Sequence, residues 1–269
     1  MTDESASDPA PTARAPDLRS HPAFHSSFLD ADRDVDVYLP PGYDSEPDRR
    51  YPVLYLHDGQ NLFDRSKAFG NSEWGVDDTA DMLIAAGEIS PLIIVGIGNG
   101  GEHRIHEYTP TRDGFRRAGG KASLHGRMLV EELKPFIDQR YRTLSDQSST
   151  GLGGSSLGGL VSLYLGLTYP DVYGKLAVIS PSVWWDNRFI VRRIGVLYGK
   201  PPLRIWLSTG TAEGPDVTEA TRRVRDVLQA KGWAIGEDLY YLEAEGAPHH
   251  EDAWSQLVAP MLRYLYPPT

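Results

Sequence analysis

The sequence contains no cysteine, which excludes disulfide bonds, thiolate catalysis and cysteine-based zinc sites. No apolar run approaches the length of a transmembrane helix. Residues 1–9 lack the basic and apolar regions of a secretory signal, so the chain as given is expected to be cytoplasmic. Positive charge is scarce, since 27 Lys and Arg stand against 37 Asp and Glu, for a formal net charge of −10. Nucleic acids and anionic membranes require basic surfaces, and neither is expected as a partner.

The remaining composition is that of an ordinary globular chain, with 40% hydrophobic and 24% charged residues among 269. Residues 1 to about 20 are rich in Ser, Asp, Ala and Pro and predict a flexible tail. Over residues 21–269, strand patterns alternate with helical patterns, without a linker or a repeat. This alternation predicts one α/β domain with a mostly parallel, doubly wound sheet, an antiparallel start and helices on both faces.

The individual elements follow from the apolar patterns. Strands are predicted at 24–29 and 34–39, and the nearly continuous apolar runs 51–57 and 91–97 are typical of strands buried on both faces. Further strands are predicted at 176–180, 203–208 and 239–244. Helices are predicted at 77–86, 121–140, 188–197, 217–231 and 253–266, and a flexible loop at 102–110.

The segment from Gly154 to Gly158, Gly-Ser-Ser-Leu-Gly, is a G-x-S-x-G element between a short segment of small residues and an apolar helix that begins at Leu157. Strand, sharp turn and helix form the context in which this element is a nucleophile elbow. The glycines on either side of Ser156 leave room for strained backbone, and the helix N-terminus points toward a developing oxyanion. The alternative is a glycine-rich turn without chemistry; the flanking pattern favours the elbow.

The loop after strand 51–57 is a candidate for the second oxyanion-hole donor. In α/β hydrolases the corresponding loop supplies a backbone N–H beside the nucleophile. Gly59 lets the main chain approach closely, and Gln60 is the candidate for the donated N–H, paired with the N–H of Leu157. An Asp-Gly turn with no donor role is the alternative.

Residues 96–101 satisfy G-x-G-x-x-G after a strand, but the segment that follows lacks the apolar periodicity of the helix that a dinucleotide site requires. His103 and His106 have the spacing of a metal pair but no third ligand at a recognisable spacing. We therefore expect neither an organic cofactor nor a metal.

Candidates for an acid and a base follow later strands. Glu213 and Asp216 come after strand 203–208, and His249 and His250 come after strand 239–244. A carboxylate can hold an imidazole in one tautomer, and the imidazole can take a serine proton near neutral pH. Serine, then acid, then histidine is the chain order of α/β hydrolases. These patterns leave the choice within each pair open.

Taken together, these segments resemble the putative-esterase (esterase D-like) family of α/β hydrolases from about residue 25 to the C-terminus. That family includes feruloyl and acetylxylan esterases, enterochelin-type siderophore esterases, S-formylglutathione hydrolases and mycolyltransferases. The motifs that carry the resemblance are residues 57–63, Arg104 with 107–110, 154–159, 180–185, 210–213 and 249–254.

The resemblance implies an α/β-hydrolase fold, and it also implies a choice between the two acid candidates and between the two base candidates. It implies His249 as the base, because Trp254 follows it by five positions. It implies Glu213 as the acid, because Glu213 stands in a Gly-Thr-x-Asp/Glu loop. Glutamate in place of aspartate is a mild departure from the family, and Asp216 remains the fallback.

The resemblance also suggests residues that contact the substrate. Trp184 and Trp185 are candidates for an aromatic wall of the acyl or aryl pocket, with core packing as the alternative. Arg104, Glu107 and Tyr108 are candidates for binding a polar substrate group, with bracing of their loop as the alternative, which is favoured.

The sequence therefore predicts a serine carboxylic-ester hydrolase in which Ser156, His249 and Glu213 act through an acyl-enzyme. The expected substrate is a small-molecule or carbohydrate ester of feruloyl, acetyl or siderophore-like type. An acyltransferase that uses the same residues is the first alternative. A non-catalytic binding protein on the same fold is the second.

Overall fold

The structure is a computed structural model that describes residues 17–268. Most of the predicted tail, residues 1–16, lies outside the described residues, whereas residues 17–20 already belong to the first strand. Within residues 17–268, no helix is both long and apolar enough to cross a membrane.

Within residues 17–268, eight strands form the central sheet in the spatial order β1-β2-β4-β3-β7-β8-β9-β10. The antiparallel start is confirmed, since β2 pairs antiparallel with both β1 and β4, and the other neighbours are parallel. The strands are β1 (Asp17–Phe24), β2 (Arg33–Leu39), β3 (Val53–His57), β4 (Ile93–Ile97), β7 (Thr150–Ser155), β8 (Lys175–Ile179), β9 (Arg204–Gly210) and β10 (Leu239–Ala244). β5 (Arg112–Asp113) and β6 (Ala118–Gly119) form a separate hairpin.

The helices cover both faces of this sheet, as predicted. They are α1 (Val76–Ala85), α2 (Arg104–Glu107), α3 (Ala122–Arg127), α4 (Lys134–Arg140), α5 (Leu157–Thr168), α6 (Phe189–Gly195), α7 (Pro215–Ala230), α8 (Glu251–Ser255) and α9 (Val258–Leu265). A π-helical turn, Met128–Leu133, joins α3 and α4 without a break, so the predicted helix 121–140 is nearly continuous.

Alternating side chains of the strands pack into two hydrophobic cores. On β3, Val53 and Tyr55 join the core that buries α3 to α7, whereas Leu54 and Leu56 join the core beneath α1 and α9. Because successive strand side chains point to opposite faces, burial on both sides requires the continuous apolar runs seen in the sequence.

The first strand was wrongly placed at 24–29; it is β1, Asp17–Phe24. β1 is an edge strand whose side chains are mostly exposed, and it is fixed by main-chain pairing with β2. Pro22 is tolerated because an edge strand does not need every N–H in the ladder. Apolar alternation, the signal used for prediction, is absent from such a strand.

Two further expectations require correction. The predicted helix 253–266 is two helices, α8 and α9. Pro260 has no N–H for a hydrogen bond to the preceding turn, so it is accommodated near the start of α9 and not within a continuous helix. The predicted loop 102–110 contains the single turn α2, which is anchored by the buried side chain of Glu107.

The carboxyl ends of β3, β7, β8, β9 and β10 lie at one edge of the sheet because these strands are parallel. The loops that leave this edge carry every residue that the sequence marks as catalytic. In open α/β sheets this edge is where ligands bind.

Candidate active site

Ser156 occupies the sharp turn between β7 and α5, with φ 57° and ψ −120°. A serine rarely adopts positive φ, so the turn is strained and must be held by its surroundings. A Cβ atom at Gly154 would lie 3.0 Å from the Cβ of His57, and one at Gly158 would lie 3.2 Å from it. The two glycines therefore allow the turn to pack closely against β3.

His249, Glu213 and Ser156 are joined by hydrogen bonds although they lie far apart in the chain. His249 Nε2 lies 3.0 Å from Ser156 Oγ, and His249 Nδ1 lies 2.7 Å from Glu213 Oε2. The second contact fixes the imidazole orientation and leaves Nε2 facing the serine hydroxyl. Such an arrangement can deprotonate a serine.

The Glu213 carboxylate has a fully buried side chain and two further donors. Gly210 N donates to Oε1 at 2.6 Å, and Ser180 Oγ donates to the same oxygen at 2.5 Å. Burial raises the pKa of Glu213, but the hydrogen bonds from His249, Ser180 and Gly210 outweigh it, and the pKa lies below its usual value. Glu213 is therefore held as the anion.

Trp254 supports this carboxylate through Ser180. The indole Nε1 donates to Ser180 Oγ at 3.0 Å, and the indole ring meets the His249 ring edge to face at a centroid distance of 4.8 Å. Trp254 thus contacts both the base and the hydroxyl that orients the acid. Trp254 follows His249 by five positions, the spacing used above to choose the base, and it lies on α8 in contact with the imidazole.

The two alternative residues are not part of this hydrogen-bond chain, although His250 lines the same cavity as Ser156 and His249. His250 is the N-cap of α8, where its ring nitrogen accepts from the N–H of Asp252 at 3.2 Å. Asp216 is exposed in the first turn of α7. Neither has a hydrogen bond to Ser156, His249 or Glu213 within residues 17–268.

The loop after β3 brings Gln60 to a cavity of about 360 Å³ that is also lined by Ser156 and His249. Asp58 has left-handed backbone geometry, with φ 58°. A Cβ atom at Gly59 would lie 2.5 Å from the carbonyl carbon of Gly96, so only glycine fits this approach to β4. Leu157 is the first residue of α5, so its N–H is one of the unpaired donors at the helix N-terminus beside Ser156.

Beneath this loop, His57 is buried and neutral. Its Nδ1 donates to Gly153 O at 2.9 Å, which leaves Nε2 to accept from His125 Nε2 at 3.0 Å. Burial lowers the pKa of His57 to about 4. The pair connects the end of β3 to α3 without placing a charge under the turn at Ser156.

Arg104 lines the cavity, and its guanidinium forms a two-point ion pair with Asp58, with both N–O distances at 2.7 Å. Glu107 does not reach the cavity; it is buried and paired with Arg33, Nη1 to Oε2 at 3.0 Å. The structure therefore gives Glu107 the bracing arrangement that was its alternative, while Arg104 both braces the loop and faces the cavity.

The two tryptophans differ. Trp185 is buried in the core, and its Nε1 donates to Thr111 O at 3.0 Å. Trp184 is 43% exposed, with the Arg116 guanidinium 4.5 Å from its ring centroid. Neither tryptophan is among the residues that line the cavity at Ser156. Trp185 has the core-packing role that was the alternative to an aromatic wall.

Sequence reasoning missed several residues of the site. Ser182 Oγ lies 3.2 Å from Ser156 Oγ, and its N–H donates to Ser156 O at 3.0 Å. Asn61 lines the cavity and donates from Nδ2 to Glu251 Oε1 at 3.2 Å. The signal for Ser182 was available, because it stands in a loop directly after a buried strand, as the other candidates do.

Within residues 17–268, no group of three or more His, Asp or Glu side chains is arranged to hold a metal ion. The G-x-G-x-x-G segment is followed only by a short 3-10 turn and the four-residue α2. The helix that would bind a pyrophosphate is thus not formed there.

Comparison with known proteins places these observations in a family. The family model described as "Putative esterase" matches residues 26–265. The chain is 29% identical over 244 residues to an uncharacterized protein, YbbA, of Bacillus subtilis, which covers 86% of this chain and 91% of that protein. It is 27% identical over 243 residues to an endo-1,4-beta-xylanase/feruloyl esterase of Xylanibacter ruminicola, covering 86% of this chain but 29% of that protein.

Among solved structures, the enterobactin esterase FES of Shigella flexneri, in the presence of enterobactin, superposes with a TM-score of 0.76 and 21% identity. The match covers 95% of this chain and 60% of that one. At this identity the likeness establishes the shared α/β fold.

Proposed function

The chain belongs to the putative-esterase family and is a carboxylic ester hydrolase, and we propose that Ser156, His249 and Glu213 are its catalytic triad. The observation that carries the proposal is the continuous chain of hydrogen bonds from Glu213 through His249 to Ser156 Oγ. Ser156 sits at the tip of the elbow, and the two partners come from neighbouring strand-end loops.

The reaction proceeds in two halves. Ser156 Oγ attacks the ester carbonyl carbon while His249 Nε2 takes the hydroxyl proton, and the N–H groups of Leu157 and Gln60 hold the carbonyl oxygen as it becomes an anion. The C–O bond to the alcohol then breaks, and the alcohol leaves with the proton from His249. Water, deprotonated by His249, attacks the acyl-serine, releases the acid and restores Ser156. Glu213 stabilises the imidazolium in both halves.

Hydrolysis of a chain-length series of p-nitrophenyl esters tests this proposal. Short acyl esters should be turned over by the wild type, and Ser156→Ala or His249→Ala should lower kcat by roughly 10³-fold or more. His250→Ala and Asp216→Asn are matched controls, because they change neighbouring residues of the same types outside the hydrogen-bond chain; both should keep kcat within about twofold of the wild type. Wild-type activity in Ser156→Ala, or loss of activity in His250→Ala equal to that in His249→Ala, would refute the assignment.

For the substrate, we propose an uncharged ester with a polar, hydroxyl-bearing group. The cavity at Ser156 shares Gln60, Phe69 and Asn99 with a neighbouring cavity of about 580 Å³. Asp32, Asp34 and Asp36 line this neighbouring cavity. Carboxylate oxygens accept hydrogen bonds from hydroxyl groups and repel anions.

The cations that line these two neighbouring cavities are paired with carboxylates, so the excess charge there is negative. Arg104 is already paired with Asp58, Arg33 with the buried Glu107, and Lys67 lies 3.8 Å from Asp36. No cation is therefore left over to bind an anionic substrate among these residues. A sugar ester of the feruloyl or acetyl type fits this cleft better than a polyanionic ester.

A matched substrate pair tests this preference. p-Nitrophenyl butyrate and mono-p-nitrophenyl succinate have acyl chains of equal length, but the second carries a carboxylate. We expect kcat/KM to be at least about tenfold higher for the butyrate, with a gap that narrows at high salt because salt screens the repulsion. Equal kcat/KM for the two esters would remove the basis for a neutral substrate while leaving the triad untouched.

A further inference from the structure

A second cavity, of about 480 Å³, lies at the opposite edge of the sheet from Ser156. Its lining includes Lys175 and Arg204, the first residues of β8 and β9, and Pro52 and Ser149, which immediately precede β3 and β7. These are the amino ends of the same parallel strands whose carboxyl ends carry the triad. The six residues of β7 separate the two edges by about 20 Å, so a ligand here would not touch the catalytic residues.

Three cations line this second cavity without a carboxylate partner. Arg50, Lys175 and Arg204 form no ion pair within residues 17–268, although the chain as a whole carries a formal charge of −10. Their hydrogen bonds go to main-chain carbonyl oxygens, those of Thr143, Ser148 and Tyr264 respectively. A fourth cation at the rim, Arg49, is paired with Glu46 at 2.9 Å.

Lys175 and Arg204 lie close enough to influence each other. Burial lowers the pKa of Lys175, the Asp146 carboxylate raises it, and the nearby Arg204 lowers it by less than Asp146 raises it. Within residues 17–268 the Asp146 carboxylate forms no ion pair with Lys175, and it accepts hydrogen bonds from Ser148 Oγ at 2.6 Å and Ser149 N at 3.1 Å. An anion in the cavity would offset the repulsion between Lys175 and Arg204 and would accept hydrogen bonds from the N–H donors that the cations do not already use.

We propose that this cavity binds a phosphorylated small molecule that carries at least two negative charges. Guanidinium groups present paired N–H donors that match phosphate oxygens, and two of the three unpaired cations are arginines. Pro91, Leu144 and Pro267 form apolar walls that can contact the organic part of such a molecule. The volume is in the ordinary range of small-molecule sites, about 300–1,000 Å³.

Titration calorimetry with inorganic pyrophosphate, at an ionic strength held constant with NaCl, tests this site directly. The wild type should bind one pyrophosphate, and Arg50→Gln should weaken binding about tenfold, the loss expected for one charge-assisted contact. Arg50 is exposed, so its replacement should not affect folding, and circular dichroism with thermal melting checks this. Arg223→Gln removes the same charge from the exposed face of α7 and should bind as the wild type does.

The competing location is the cleft at Ser156, which contains Arg104 and His249. Ester hydrolysis separates the two locations, because pyrophosphate in the second cavity should not raise KM for p-nitrophenyl acetate. The proposal is overturned if pyrophosphate does not bind at millimolar concentration, if Arg50→Gln binds as tightly as the wild type, or if pyrophosphate inhibits competitively with the same constant in both proteins. None of these readouts depends on the identity of the triad.

Discussion

Replacing Ser180 with alanine removes one hydroxyl that joins two parts of the site. Ser180 Oγ donates to Glu213 Oε1 at 2.5 Å and accepts from Trp254 Nε1 at 3.0 Å. In the variant the buried Glu213 carboxylate keeps its contacts with Gly210 N and His249, and the indole N–H loses its acceptor. The substitution changes neither the nucleophile nor the base.

The expected loss follows from these contacts. A hydrogen bond to a charged group contributes about 1.5–3 kcal/mol, and a buried donor left without a partner costs about 1 kcal/mol more. We therefore expect Ser180→Ala to lower the free energy of unfolding by about 2.5–4 kcal/mol near neutral pH. We also expect kcat to fall about tenfold, because Glu213 can rotate and His249 is held less firmly toward Ser156.

The pH dependence distinguishes this role from a simple packing defect. The three hydrogen bonds lower the pKa of Glu213 below the 4.5 of the free side chain. Their stabilisation is thus fully present above that value and is lost as the pH falls through the folded-state pKa. Because the variant lacks one of these bonds, its Glu213 pKa is higher, and the stability gap to the wild type should shrink between about pH 7 and about pH 3.

Urea denaturation at both pH values, together with kcat for p-nitrophenyl acetate, measures these effects. Ser182→Ala is the matched control, since Ser182 is equally buried but contacts Ser156 and not Glu213. Its stability loss should not depend on pH over this interval. A pH-independent loss in Ser180→Ala, or a kcat equal to that of the wild type, would refute the role given to the hydroxyl.

Three further predictions concern the loop after β3. Burial lowers the pKa of His57 from 6.5 to about 4, so the unfolded chain binds an extra proton between these values. Acidification from about pH 6.5 to about pH 4 should therefore cost about 3 kcal/mol through this group, and urea titrations of His57→Gln should show a correspondingly smaller loss. In Gly59→Ala the new Cβ would lie 2.5 Å from a main-chain carbon of β4, which should lower both Tm and kcat at a cost of about 1–3 kcal/mol. Gly114→Ala should change neither Tm nor kcat, because among residues 17–268 no atom beyond its chain neighbours would lie within 4 Å of the new Cβ. Arg104→Gln leaves the Asp58 carboxylate without its two-point partner and should lower the unfolding free energy by about 2 kcal/mol. It should also lower kcat/KM for p-nitrophenyl acetate about tenfold, and an unchanged kcat/KM would show that the ion pair does not position the oxyanion loop.

The parts of the fold that the sequence predicts are those whose signal is local. The buried strands β3 and β4 are continuous apolar runs, and the turn at Ser156 is marked by glycines at positions where a side chain would crowd β3. Strand β1 has no such signal, because an exposed edge strand is held by its main chain. The break between α8 and α9 depends on one proline whose effect varies with its position in the helix.

For the site, chain order and strand-end position led to Ser156 and to the pairs Glu213/Asp216 and His249/His250. The family resemblance supplied the choice within each pair, and the catalytic roles remain predictions. The supports of these residues could not be read in the same way. Ser180 and Trp254 are 74 residues apart in the chain, and their contact exists only because parallel strands bring their loops to one edge. The burial of Trp185 likewise depends on packing against the distant hairpin β5–β6.

The central claim is that Ser156 carries the acyl group between the two halves of the reaction. Rapid mixing with p-nitrophenyl acetate, acid quenching and peptide mass spectrometry test it most directly. The account predicts a burst of p-nitrophenolate and an acetyl group on Ser156, with both absent in Ser156→Ala. An acetyl group on Ser182, whose hydroxyl lies 3.2 Å away, or full turnover with no acylated serine, would contradict it.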